Sequence, residues 1–152
     1  MISIVKAVRV ISSLAFLGVL LYVYAYLPDP VKLPVDLGGI RELLVNKGNL
    51  FYVMVGIFAI VSTTSFFVVR LINTLPGSEI SFKKNLTNWS LSFLVVINIF
   101  LILSLIIIGI INNTERAGIG HYATLAYVGP VLLVIWLFLL IFVVAKRLMA
   151  RL

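Results

Sequence analysis

The chain offers little with which to make or break covalent bonds. Its only histidine is His121 and it has no cysteine, which excludes a multi-histidine metal site, a histidine-pair proton relay, a thiolate nucleophile and a thiolate zinc or iron–sulfur centre. Three carboxylates, Asp29, Asp36 and Glu42, lie close enough in sequence to suggest a carboxylate pair or a weak calcium site. Their spacing is not that of an EF-hand loop, and each has a basic neighbour in Lys32, Arg41 or Lys47, so a solvated, self-neutralising loop is expected instead. His121, next to Tyr122, is expected at an interface rather than at a reacting centre. No enzyme activity, no cofactor and no metal is expected.

The elements that must carry these residues follow from composition. Of 152 residues, 62% are hydrophobic and 11% are charged, with mean hydropathy +1.22. A soluble domain is about 45–50% apolar and about 25% charged, and so small a protein cannot hide the excess in a core. Lipid is the expected solvent. Apolar windows at about 10–27, 50–72, 91–111 and 122–145 each reach the roughly 20 residues that cross a bilayer as helix. Barrel-type alternation is absent, and in lipid the backbone must satisfy itself. The fold class expected is therefore all-α and integral to the membrane, a single four-helix bundle over 1–152 with an outer loop at 28–49. Lys6 and Arg9 before the first window resemble the start of a secretory leader, but the segment is read as a retained anchor.

Charge orients the bundle. If the helices alternate, one side carries Lys6, Arg9, Arg70, Lys83, Lys84, Lys146, Arg147 and Arg151 against Glu79. The other carries Lys32, Arg41, Lys47 and Arg116 against Asp29, Asp36, Glu42 and Glu115. The positive-inside rule then places both termini and the 73–90 loop in the cytoplasm, with the 28–49 and 112–121 loops outside. The whole net charge of +7 is thus topological, its natural counterpart is anionic lipid, and no nucleic-acid partner is expected. Tyr22, Tyr24, Tyr26, Phe51, Tyr52, Tyr122 and Tyr127 are expected near the outer boundary and Trp89 near the inner one. Asn85-Leu86-Thr87 and Asn88-Trp89-Ser90 match glycosylation sequons on the wrong side of the membrane, so they read as helix-start signals, with Asn88 capping the third helix.

No ionisable side chain falls in the middle of a span, which argues against a pump or an ion-coupled carrier. Asn98 is the one strongly polar group well inside a window. Ser62, Thr63, Thr64 and Ser65 on the second helix are its expected partners, as interhelical glue worth about 0.6–2 kcal/mol. Gly18, Gly56, Gly109, Ala126 and Gly129 are candidates for close helix approach, although no GxxxG pair is present. Pro130 is expected to kink the fourth helix towards its outer end. Faces carrying Asn98, residues 62–65 and Trp136 are candidates for packing within the bundle or against a partner.

The outer loop runs through Pro28, Pro30 and Pro34 to Gly38 and Gly39, a composition that bars helix, favours an extended path and permits a tight turn. Leu27-Pro28, Val31, Asp36, Gly39 and, eight positions on, Lys47 occupy a recurring spacing. In it the chain resembles the uncharacterised bacterial membrane domain found N-terminally in sporulation-delay toxin immunity proteins and in many small four-helix membrane proteins. The resemblance covers about residues 10–70. Two departures stand out, since Pro34 replaces the family's histidine and Arg41-Glu42 replace its Pro-Asp pair. The resemblance implies a bacterial cytoplasmic (inner) membrane location, and an outer-loop interaction site at Leu27, Pro28, Asp36, Gly39 and Lys47.

Taken together, these features point to a protein that acts by contact, as an accessory or stabilising subunit of a larger membrane complex whose partners are the bilayer and other membrane subunits. The alternative is a sensor or toxin-immunity protein that captures an extracellular ligand with the 28–49 loop.

Overall fold

The computed structural model describes residues 4–37, 40–76, 80–113 and 123–149. Four helices and one hairpin follow in order: α1 (Ile4–Tyr26), β1 (Val31–Leu37), β2 (Ile40–Val45), α2 (Lys47–Thr74), α3 (Ile80–Asn112) and α4 (Ala123–Met149). Among the described residues, α1, α2 and α3 are each long and apolar enough to cross a membrane, and α4 carries a shorter apolar stretch over Tyr127–Phe142.

Local chemistry sets the ends. Pro28 and Pro30 cannot continue α1, which stops at Tyr26. Asn46 caps α2, its Oδ1 accepting from the backbone N–H of Gly48 at 2.8 Å and of Asn49 at 3.4 Å. Pro76 follows the end of α2, where the Leu75 N–H turns back to the Ile72 carbonyl. Two boundaries differ from those expected. Helix α3 begins at Ile80, so most of the expected 73–90 loop is helix, and Asn85 and Asn88 lie inside it rather than at its cap. At about 1.5 Å per residue, its 33 residues reach about 50 Å, more than the roughly 30 Å of a bilayer's hydrocarbon. Helix α4 is continuous through Pro130.

The outer loop corrects an all-helical reading. β1 and β2 pair antiparallel, Val31 opposite Val45 and Pro34 opposite Glu42, then slip by one residue so that Leu37 faces Ile40. The extra residue on β1 is a bulge. Pro34 is tolerated because a two-stranded ribbon leaves each strand one unpaired edge, to which a residue without an N–H can point. The strands are joined through Gly38 and Gly39, which lie outside the described residues.

Helix α3 is the hub, packing against α1, α2, α4 and β1, whereas α1 and α2 touch only lightly. Its buried residues are Ser90, Leu91, Leu94, Asn98, Leu101, Leu105 and Ile108. From Leu91 onward the spacing alternates three and four, the seam of knobs-into-holes packing. Phe16, Leu20 and Val23 of α1, Leu27, Val31 and Leu50 and Met54 of α2 meet the hairpin half of that seam in one cluster. Phe16 is fully buried and stacks on Phe58 at 5.2 Å between ring centroids.

Candidate functional site

Three polar arrangements are built on the α3 hub. The first is at mid-seam. Asn98 is 1% exposed, and its Nδ2 donates to Ser12 Oγ and to Ser13 Oγ, both at 3.1 Å. Ser12 passes the chain on, donating to the Arg9 carbonyl at 3.0 Å. The partners of Asn98 are therefore on α1 and not on α2. Ser62 and Ser65, expected to serve it, keep buried hydroxyl oxygens with no hydrogen-bond partner, and Thr63 is exposed.

The second arrangement fixes the hairpin. Asn112, in the last turn of α3, grips one residue of β1 along its outer edge: its Oδ1 accepts from the Lys32 N–H at 2.8 Å and its Nδ2 donates to the Lys32 carbonyl at 2.9 Å. A side-chain amide thus pairs with a strand as another strand would. Beside it Val31 is fully buried and Leu33 packs against the core cluster. At the far end of the hairpin Asp29 accepts from the Asn46 amide and from the Lys47 backbone N–H, both at 3.3 Å. A carboxylate is thereby set at the positive end of α2, where the helix dipole favours it. A cleft of about 830 Å³ opens beneath the hairpin between α1 and α3, lined among others by Tyr22, Tyr26, Pro28 and Gly109.

The third arrangement joins α3 to α4. Trp89 and Trp136 stack at 4.0 Å between centroids and 17° between planes. Each indole Nε1 donates to the other residue's carbonyl, at 3.0 and 3.1 Å. Trp136 Nε1 also reaches Ser92 Oγ at 3.1 Å, and Phe93 closes the side of the pair. Trp89 is thereby engaged with its neighbour helix. Further along, Gly129 is buried against Phe100, whose ring occupies the place a Cβ would take.

The expected outer-loop residues divide. Leu27 belongs to the core cluster. Lys47 holds its ammonium 4.7 Å from the centre of the Tyr24 ring, a cation–π contact. Pro28 is exposed at the cleft. The side chain of Asp36, Gly39 and His121 lie outside the described residues, as do the side chains of Arg41, Glu42 and Ala126. Tyr22 lies against Tyr26, Tyr24 against Phe51 and Phe51 against Tyr52 at the hairpin end, and Tyr122 lies outside the described residues. Pro130 is exposed on α4. Among the described residues no group of three or more His, Cys, Asp or Glu side chains is arranged to hold a metal.

Asn112 escaped the sequence reading as an interacting residue, and so did the pairing of Trp136, a candidate for packing, with Trp89. The available signals were an asparagine pair ending an apolar run and two tryptophans on consecutive windows, neither of which names a partner. The architecture is that of a helical bundle, three of whose helices are long and apolar enough to cross a membrane, with a hairpin at one end and polar clasps on α3. No family model, curated protein or solved structure matches the chain.

Proposed function

We propose that the chain is a non-enzymatic four-helix protein of a bacterial cytoplasmic membrane, with both termini inside, acting by contact as an accessory or stabilising subunit of a larger membrane complex. The observation that carries this reading is the seating of α4. That helix packs on α3 and makes no comparable contact with α1 or α2, and Val131, Val134, Ile135, Phe138 and Phe142 are each half exposed or more. One side is clamped by Trp136 and Gly129, and the exposed residues make an apolar face among the described residues. In lipid, helix association gains little from apolar burial itself and depends on fit and on interhelical hydrogen bonds, so such a face suits a second set of helices as well as acyl chains.

The test is the native mass of the untagged protein extracted from its own membrane in mild detergent, with mass-spectrometric identification of whatever stays bound. A stable assembly with larger subunits is expected. A lone monomer or homodimer overturns the proposal.

A second reading is favoured by the hairpin. A loop that only joined two spans would have no need of the Asn112 grip and the buried Val31. Held as it is, the hairpin is a preorganised platform, and preorganisation lowers the ordering cost of binding. On this reading it captures an extracellular peptide, as the resemblance to toxin-immunity domains implies, with Pro28, Asp36, Gly39 and Lys47 at the contact. Joint replacement of Asp36, Gly39 and Lys47 is expected to abolish protection or signalling while membrane insertion persists. An unchanged phenotype removes this reading.

A further inference from the structure

The end of the bundle opposite the hairpin holds a cleft of about 870 Å³ between the first turns of α1, the last turns of α2 and the first turns of α3. Its mouth is cationic. Lys6 and Arg9 come from α1, and Lys83 and Lys84 from α3, and among the described residues no carboxylate lines it. Lys83 is partly engaged, its Nζ donating to the Asn73 carbonyl at 3.3 Å near the end of α2. That bond closes the cleft on one side and leaves the ammonium charge in place. Four like charges around one opening repel one another.

Deeper in, the lining changes character. α1 runs inward from Lys6 to Val10, while α2, running the other way, reaches the mouth at Asn73 and recedes through Val69 to Phe66. At about 1.5 Å per residue the step from Asn73 to Phe66 spans about 10 Å. Phe66 and Val10 are more than half exposed, so the apolar floor is open sideways to whatever surrounds the helices. Thr87, one turn on from Lys83 and Lys84, adds a hydroxyl at the transition.

From this gradient we infer that the cleft binds one anionic phospholipid, its phosphate among Lys6, Arg9 and Lys84 and its acyl chain along Val10, Val69 and Phe66. A free phosphate would use the mouth and leave the floor without purpose. A zwitterionic lipid would use the floor but bring no net charge to the mouth. Basic pockets between helices at the cytoplasmic face are suited to anionic headgroups for these reasons. The inference does not depend on which partner or ligand the rest of the molecule serves.

The test uses the full chain in phosphatidylcholine nanodiscs doped with phosphatidylglycerol, with retained lipid counted by native mass spectrometry as a function of doping. The triple variant Lys6→Gln/Arg9→Gln/Lys84→Gln is compared with Lys146→Gln/Arg147→Gln/Arg151→Gln, which removes equal charge elsewhere. One phosphatidylglycerol per chain is expected on the native protein. At about fivefold per cation, the first triple is expected to weaken binding by about a hundredfold, while the second behaves like the native chain. Should the first triple fail to fold, the single variants Lys6→Gln and Lys84→Gln, both at exposed positions, are each expected to weaken it about fivefold. Equal losses in the two triples overturn the site in favour of a diffuse field, and equal retention of phosphatidylcholine overturns the headgroup assignment. Saturable binding of inorganic phosphate in undoped nanodiscs, with no preference for phosphatidylglycerol, overturns the lipid in favour of a free anion.

Discussion

Replacing Asn98 by leucine tests whether the seam is held by polarity or by shape. In a water-soluble coiled coil, a buried asparagine sets register at a cost in stability, and leucine in its place is stabilising because it gains apolar burial. In lipid that gain nearly vanishes, since the unassociated helix already keeps its leucines among acyl chains. What remains is the loss of two hydrogen bonds at 3.1 Å. At about 0.6 kcal/mol each on average and about 1.7 at most in membrane proteins, Asn98→Leu should destabilise the α1–α3 pairing by about 1–3 kcal/mol. Leucine is near enough in size to leave no large void, Ser12 retains its bond to the Arg9 carbonyl, and Ser13 is only partly buried, so a cavity or a fully buried stranded hydroxyl does not inflate the figure. The assay is reversible unfolding in mixed micelles, with double-mutant cycles against Ser12→Ala and Ser13→Ala. Each cycle should return a coupling of about 0.6–1.7 kcal/mol, and cycles against Ser62→Ala and Ser65→Ala should return none. A neutral or stabilising Asn98→Leu, or a coupling to Ser62 or Ser65 in place of Ser12 and Ser13, would refute the reasoning.

The remaining predictions concern the other clasps. The only two tryptophans in the chain are stacked, so the native protein should show an exciton couplet in its circular dichroism that Trp89→Phe or Trp136→Phe each abolishes, with about 0.5–1.5 kcal/mol lost from α3–α4 packing. Gly129→Ala should cost about 1–3 kcal/mol by forcing the Phe100 ring aside, and Phe100→Leu in the same chain should recover most of it, both read by unfolding. Asn112→Ala should release the Lys32 peptide and cost about 1–2 kcal/mol. Hydrogen exchange should then rise across residues 31–45 while the helices stay protected, and unchanged protection there would mean that Val31 and Leu33 alone hold the hairpin.

The number of helices and their rough extents were legible in the sequence, because hydropathy over a window of bilayer length needs no knowledge of neighbours. What hydropathy could not supply was facing. Ser12 and Ser13 were passed over because four hydroxyl residues at 62–65 make a denser polar cluster on α2, and only the packing of α1 against α3 decides which cluster meets Asn98. Apolar residues all round each helix concealed the seam as well: Leu91, Leu94, Leu101, Leu105 and Ile108 differ from their neighbours in burial and not in type. The start of α3 was hidden by Lys83, Lys84, Asn85 and Asn88, which depress hydropathy without impeding a helix. The hairpin was hidden by its prolines, since two of them precede β1 and the third sits where a two-stranded ribbon tolerates it.

These particulars bear on what the molecule is for. A bundle meant only to fill membrane could hold its helices by fit alone. Here each neighbour of α3 except α2 is fixed by a directional device: Asn98 for α1, Asn112 for β1, and the Trp89–Trp136 exchange for α4. Helix α2 is joined to α3 through apolar contacts, with Lys83 reaching the Asn73 carbonyl at one end, and it keeps two buried hydroxyls unanswered. α2 also directly follows the hairpin and supplies one wall of the cationic cleft at the other end. A ligand or partner pressing on the hairpin would act on α2 through the Asp29 contacts at its first turn, and a shift of α2 would open or narrow the cleft about the lysines. On the proposed reading, such a shift of α2 would be the route by which binding at one end is felt at the other.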